Sequence, residues 1–382
     1  MDFHYTEEQT QLRDAVARFV QGNYSFAHRK AILASPQGWS RPIWDELAQL
    51  GLPAILVPSE HNGLGFGALE VELAMQAAGP AMLVEPIIAS AVIATALLRD
   101  FADPAHRDAL LPQMATGEKI CVLAHGESGS SGRTAWVEAR AIEQEGGWRL
   151  DGHKAVVVHA PAADELLVSA RTSGTPADPA GVSLFRVNPN TSGLRMQTLK
   201  TIDGLRAADL WFEGLHLPAS ACVGESGTAL PAIEKALDIG VAALCAEAVG
   251  VMQATVTATV EYLRTRQQFG QPIGRFQALQ HRAVEMQIHL EQARSMSLLA
   301  ALRCESADVQ QREQALRAAK VTINDAARAI SQEAVQLHGG MGMTDEMVVS
   351  HWFKRLLAIQ LTAGDTDTNL QQFAALGSLV PA

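Results

Sequence analysis

Tyr262-Leu-Arg-Thr-Arg266-Gln-Gln-Phe269-Gly270-Gln-Pro272-Ile-Gly274-Arg275-Phe276-Gln277 interrupts a long apolar helix pattern with a dense run of charged, aromatic and glycine residues. Upstream, apolar residues recur at Ile233, Leu237, Val241, Leu244, Ala248, Met252, Val256, Val260 and Leu263, a spacing of three and four that marks one helix face. Phe269-Gly270 and Pro272 end that helix, because glycine adopts backbone angles closed to other residues and proline has no amide hydrogen. A second helix is expected to begin near Phe276. Arg266 and Phe269, three apart beside a glycine turn, suit an anionic ligand with an aromatic head: the guanidinium offers a planar fork of donors to phosphate and the ring offers a stacking face. Spacing alone favours a plain helix hairpin over the ligand site.

The chain has 382 residues, 48% of them hydrophobic, enough for a large core and two or three domains. Its net charge of −11 is spread over both halves without a basic stripe, which argues against nucleic acid or an anionic membrane as main partner. Cys121, Cys222, Cys245 and Cys304 are far apart and show no metal-ligand spacing, so a reduced cytoplasmic setting without structural zinc is expected. The acidic start, Met1-Asp-Phe-His-Tyr-Thr-Glu-Glu-Gln, lacks the basic-then-apolar order of a signal peptide. The weakly charged stretch between Asp238 and Glu261 carries Glu247, Gln253 and several threonines, so it reads as a core helix rather than a membrane span.

Residues 1–118 read as helices: one opened by Thr6 with an apolar face through Leu12, Val16, Phe19 and Val20, then Trp44–Leu50, Leu69–Ala78, Pro86–Leu98 and His106–Thr116. The glycines of Pro58-Ser-Glu-His-Asn62-Gly63-Leu-Gly65-Phe-Gly67 mark a loop. Over 119–225 the signature changes to strands at Ile120–Ala124, Trp136–Ile142, Trp148–Leu150, Ala155–His159, Glu165–Ala170, Val182–Val187 and Asp209–Phe212, a sandwich or barrel, with Gly146-Gly147 and Asp151-Gly152 as hairpin turns. Helix returns over 226–382, including Gln314–Leu337 with a stripe through Leu316, Ala319, Ile323, Ala326, Ile330, Ala334 and Leu337. The fold class is α+β: an N-terminal helical domain, a β middle and a C-terminal helical bundle.

The pattern Tyr262-x3-Arg266-x2-Phe269-Gly270-x3-Gly274-x-Phe276-Gln277, followed by Leu337-His-Gly339-Gly340-Met-Gly342, resembles the acyl-CoA dehydrogenase family, and the resemblance runs from Tyr5-Thr-Glu-Glu-Gln to the last helix. It implies the same three-part plan ending in a four-helix bundle, FAD as cofactor, an acyl-CoA substrate, a homo- or hetero-oligomer and electron-transfer flavoprotein as electron acceptor. By that resemblance Arg266 and Phe269 meet the pyrophosphate and adenine ends of an FAD held mainly by the neighbouring subunit, with Gln277 nearby. Gln336 and Gly340 take the adenosine side, although a glycine after a helix ending at Leu337 is also an ordinary C-cap. The family's Glu-Pro-Gly-x-Gly-Ser loop against the flavin ring corresponds to Glu127-Ser128-Gly129-Ser130-Ser131-Gly132, where Ser130 and its neighbours suit backbone hydrogen bonding. Its Trp-Ile-Thr/Ser strand corresponds to Val156-Val157-Val158, which lacks both the indole and the hydroxyl.

Dehydrogenation next to a thioester needs a carboxylate to take the α-proton. The family's two positions for it fall here on Ala363 and Gly240, neither of which can serve. Two carboxylates remain. Glu247 is the only charged residue between Asp238 and Glu261, two helical turns beyond Gly240 on the same face, and its apolar neighbours favour the neutral form; an arginine across the bundle would make it a structural pair instead. Asp365, in Gly364-Asp365-Thr366-Asp367-Thr368, is either a base or a helix N-cap. The loss of the family's base leaves a second expectation open, a non-catalytic subunit that completes a partner's FAD site.

Overall fold

A computed structural model describes residues 5–130 and 132–377. The acidic opening at Met1–His4 and Ser131 of the glycine-rich loop lie outside the described residues. By internal packing the chain forms two units, one of residues 1–30, 68–83 and 241–382, the other of 31–67 and 84–240.

The chain starts with helices α1 (Glu7–Asn23), α2 (Phe26–Ala34), α3 (Arg41–Gln49) and α4 (Ala68–Ala78). Thr6 caps α1 through a reciprocal box, its hydroxyl accepting from the Gln9 amide while the Gln9 side chain accepts from the Thr6 amide. Val16, Phe19 and Val20 are buried, as the periodicity requires. The expected helix from Pro86 is a π-helical segment, Ile87–Ala94, that becomes α-helical only at α5 (Thr95–Phe101). The Thr95 hydroxyl donates to the Ser90 carbonyl at 3.1 Å, a five-residue closure that apolar periodicity does not encode. Helix α6 (Pro104–Ala115) is capped by Asp103.

The sheet comprises β1 (Cys121–Ala124), β2 (Arg140–Gln144), β3 (Gly147–Val158), β4 (Glu165–Arg171), β5 (Val182–Val187), β6 (Leu194–Lys200), β7 (Arg206–Pro218) and β8 (Cys222–Val223), in the order β6-β7-β3-β2-β4-β5-β8 with β1 parallel to β4. It fits a sandwich and, among the described residues, does not close into a barrel. Three expectations change. Asp151-Gly152 is not a hairpin turn but a bulge inside β3, where Gly152 has φ +146° and a Cβ would lie 2.6 Å from Ala139. The strand expected from Trp136 begins only at Arg140, because the Glu138 and Ala139 amides bond the Glu127 carboxylate instead of a neighbouring strand. Strand β6 carried too little apolar residue to be seen, since it alternates only between exposed and half-buried positions.

Helix α7 (Leu230–Thr265) leads to the short hairpin strands β9 (Gln267–Gln268) and β10 (Gln271–Pro272), followed by α8 (Gln277–Arg303), α9 (Val309–His338), α10 (Val348–Leu361) and α11 (Thr366–Ala375). The apolar window of α7 is long enough to cross a membrane, but 83% of it is buried inside the protein, as expected of a core helix. Gly250 of α7 lets the end of α4 approach: a Cβ there would lie 2.2 Å from the Gln76 carbonyl, and one at Gly79 would lie 2.6 Å from the Glu247 carbonyl. This close approach fixes the turn that carries Glu247.

Candidate functional site

In the first unit, the hairpin after α7 turns through Phe269 (φ 54°) and Gly270 (φ 78°), the pair of left-handed residues that a two-residue hairpin needs. Glycine accepts this conformation freely; an aromatic residue pays about 1–3 kcal/mol for it. Phe269 is nonetheless 88% exposed, its nearest ring partner being Phe276, edge-on at 6.1 Å. Arg266 is exposed and forms no ion pair among the described residues. Gln277, also exposed, opens α8. At the end of α9, Gly339 has φ 61° and neither it nor Gly340 has an atom within 4 Å of where a Cβ would stand. Gln336 is exposed one turn earlier. Tyr262 joins the two regions by stacking on His338 at 4.4 Å and 27° and donating from its hydroxyl to the His338 carbonyl at 3.4 Å. The structure thus gathers the elements bearing Arg266, Phe269, Gln336 and Gly340 at one end of the bundle, with a free cation, a projecting ring and bare glycine backbone. That set fits an anionic dinucleotide, which needs charge-assisted donors, a stacking face and close backbone approach.

In the second unit, the glycine-rich loop and the strand after Lys154 are stitched together. The Ala155 amide donates to the Gly126 carbonyl at 2.8 Å. Immediately beyond, β3 bulges at Val156, whose φ of 51° is costly for a β-branched residue and whose side chain is 52% exposed. The Asp209 carboxylate accepts from the Val156 amide at 2.7 Å and holds the bulge. Ser130 lies half-buried in successive turns, its amide donating to the Glu127 carbonyl and its own carbonyl accepting from the Arg133 amide. Glu127 is not a surface group: it is buried against Lys154 at 2.6 Å, and sequence reading missed this pair along with His125 and Ser169 around it. A cleft of about 390 Å³ beside the loop is lined by Glu127, Glu138, His153, Trp211, Phe212 and Glu213 among others. Its three carboxylates make it a poor seat for phosphate.

The two carboxylates expected to act on a proton lie in different settings, and no contact joins them. Both oxygens of Glu247 are taken by Arg355 of α10, Oε1 from Nε at 2.6 Å and Oε2 from Nη2 at 2.5 Å, with both residues buried. Asp365 is exposed and caps α11, accepting from the Thr368 amide at 2.9 Å; its bonds to Thr368 hold its carboxyl below the ordinary range. Ala363 is exposed with φ 58°. At Gly240 a Cβ would lie 2.6 Å from the Ile93 side chain, so a glutamate there would collide with its neighbour. Among the described residues no group of His, Cys, Asp and Glu could hold a metal ion.

A third carboxylate, Glu72 of α4, escaped notice although it interrupts the apolar run Val71, Leu73, Ala74 and Met75. It is 1% exposed, its Oε1 accepts from Gln76 and from Ser297 at 3.3 Å, and its Oε2 has no partner. Burial pushes its pKa up to about 7. Because the folded value lies above the unfolded one, the chain bears no penalty below pH 4.5; the penalty grows as pH rises and is complete above about pH 7. Glu72→Gln is therefore expected to raise stability at pH 8 by up to about 3 kcal/mol and to leave it unchanged at pH 4. Urea melts at the two pH values check this; an equal shift at both would refute it.

Comparison with known proteins matches the models of the acyl-CoA dehydrogenase N-terminal domain over residues 6–118, the middle domain over 123–215 and the C-terminal domain over 229–376. An L-prolyl-[peptidyl-carrier protein] dehydrogenase of Pseudomonas fluorescens is 30% identical over 85% of this chain and 87% of its own length. Among solved structures, a chain of the Tcur3481-Tcur3483 steroid ACAD G363A variant superposes with a TM-score of 0.86 at 27% identity, covering 97% of each chain. A chain of the ChsE4-ChsE5 complex from Mycobacterium tuberculosis does so at 0.88 and 25%, covering all of both.

Proposed function

The chain belongs to the acyl-CoA dehydrogenase family of oxidoreductases acting on CH–CH groups, with FAD as cofactor, and from that membership we propose that it serves the α,β-dehydrogenation of an acyl-CoA thioester within an oligomer. The observation that carries this reading is the exposed end of the bundle, where Arg266, the strained Phe269 and the open backbone of Gly339-Gly340 face away from the chain's own core. Bound FAD supplies the two-electron acceptor for the β-hydride. At the end of the bundle Arg266 and Phe269 would meet the pyrophosphate and adenine ends of an FAD held mainly by the neighbouring subunit, with Gln277 nearby, while Gln336 and Gly340 would take the adenosine side. The loop through Ser130 would present backbone donors to the ring of the FAD held by this chain itself. Electron-transfer flavoprotein would be the electron acceptor.

A second reading is favoured by the state of the carboxylates. Both oxygens of Glu247 are committed to Arg355, and Asp365, although exposed, is engaged as the cap of a helix, so neither is a free carboxylate set in an enclosed site. In this reading the chain completes the FAD site of an unlike partner, and that partner supplies the base. Anaerobic absorbance titration of the protein purified alone, with a panel of acyl-CoA thioesters, separates the two. Bleaching of co-purified flavin by one thioester supports a complete enzyme. Flavin that stays oxidised across the panel, or fails to co-purify, supports the half-site.

A further inference from the structure

The cluster beneath the glycine-rich loop has an assignable proton inventory. Lys154 is 0% exposed, and its ammonium has three donors and three acceptors: the His125 carbonyl at 3.1 Å, Glu127 Oε1 at 2.6 Å and Ser169 Oγ at 3.0 Å. Glu127 is filled from the other side by the Glu138 amide at 2.6 Å and the Ala139 amide at 3.1 Å. Burial and the Lys154 charge push the His125 pKa down to about 3, so its ring is neutral. The Thr134 carbonyl, 2.9 Å from His125 Nε2, can only accept, which places the ring proton on Nε2. His125 Nδ1 is then bare and must accept from the Ser169 hydroxyl at 2.8 Å, leaving the Ser169 oxygen to receive Lys154. Burial pulls Lys154 down to about 8, and Glu127 opposes that shift. Every donor has one acceptor, and the loop is tied to β3, β4 and the 137–139 segment at once.

We propose that Lys154 is a positioning residue: through the His125 carbonyl and Glu127 it fixes the 125–130 backbone against the Val156 bulge, and so sets the direction in which the loop presents its amides to the flavin ring. The proposal rests on the FAD reading above. Its geometric basis is that Lys154 stands directly before the bulge while two of its three acceptors, the His125 carbonyl and Glu127, lie on the loop and the third, Ser169, on β4, so a shift of the loop or of the bulge breaks the ammonium's contacts. The outer side of both segments is open, with Ser128, Gly129 and Val156 exposed.

Lys154→Met removes the charge at similar length but strands Glu127 in the interior and could prevent folding. Ser169→Ala is the milder variant, removing one acceptor while keeping the ion pair. Both are measured in the FAD-loaded protein by amide exchange over 125–130, the visible flavin spectrum and FAD affinity. The expected result is faster exchange confined to the loop, a shifted flavin band and about a 10-fold loss of FAD affinity in Lys154→Met, with the same changes smaller in Ser169→Ala at nearly unchanged melting temperature. Lys154→Arg should not restore the spectrum, because a planar fork cannot serve three tetrahedral acceptors. Faster exchange with an unchanged spectrum and affinity would reduce the cluster to a structural strut and overturn the proposal, as would wild-type exchange in Ser169→Ala together with wild-type flavin properties. Failure of the wild-type protein to bind FAD removes the FAD reading and this proposal together, and is distinguished by its appearance before any substitution.

Discussion

Replacing Arg355 with leucine will destabilise the protein by about 3–5 kcal/mol, the cost of leaving the Glu247 carboxylate buried without its counter-ion. The two guanidinium bonds at 2.6 and 2.5 Å are the carboxylate's partners across more than a hundred residues of sequence. Denaturant melts measure the loss. The paired substitution Glu247→Leu/Arg355→Leu should recover most of it, because desolvating two charges offsets much of their attraction and apolar side chains of similar volume pack without that cost. The double variant also tests catalysis. If it folds, binds FAD and still turns over a thioester, Glu247 is not the base. If it folds and binds FAD but is inactive in a protein whose wild type bleaches, Glu247 acts in chemistry as well as packing. A single Arg355→Leu variant as stable as wild type would show that the pair is dispensable.

Removing the Arg266 side chain should weaken FAD retention about 10- to 100-fold, the expected loss for a charge-assisted contact to pyrophosphate, while leaving the melting temperature of the FAD-free chain nearly unchanged because the Arg266 side chain is exposed and forms no ion pair among the described residues. Phe269→Gly separates ligand from fold more sharply. Glycine relaxes the φ of 54° and should stabilise the chain by about 1 kcal/mol, yet the same change should lower FAD affinity by removing the exposed ring. Flavin content after gel filtration and thermal melts of the stripped protein check both halves. Unchanged flavin content in Arg266→Ala would remove the guanidinium from the site, and lower stability in Phe269→Gly would mean that the ring serves the fold.

Sequence determined what short-range chemistry controls. The three-and-four spacing of apolar residues fixed the burial faces of α7 and α9; Thr6 and Asp365 opened helices because their side chains meet free amides within three residues; and Phe269-Gly270 with Pro272 ended α7 wherever the rest of the chain lay. The motif around Arg266 and Gly340 named the family for the same reason, since its residues are close in sequence on each side. Tertiary structure alone decided the identity of partners. Glu247 met Arg355, Lys154 met His125, Glu127 and Ser169, and Glu72 was left with one unpartnered oxygen, because burial and distant neighbours set what a charge can do and neither is written in the flanking residues. Two expected strands fused into β3 through bulges at Gly152 and Val156, and half-buried β6 was recruited by pairing with β7, because a strand is completed by its neighbour's hydrogen bonds rather than by its own sequence.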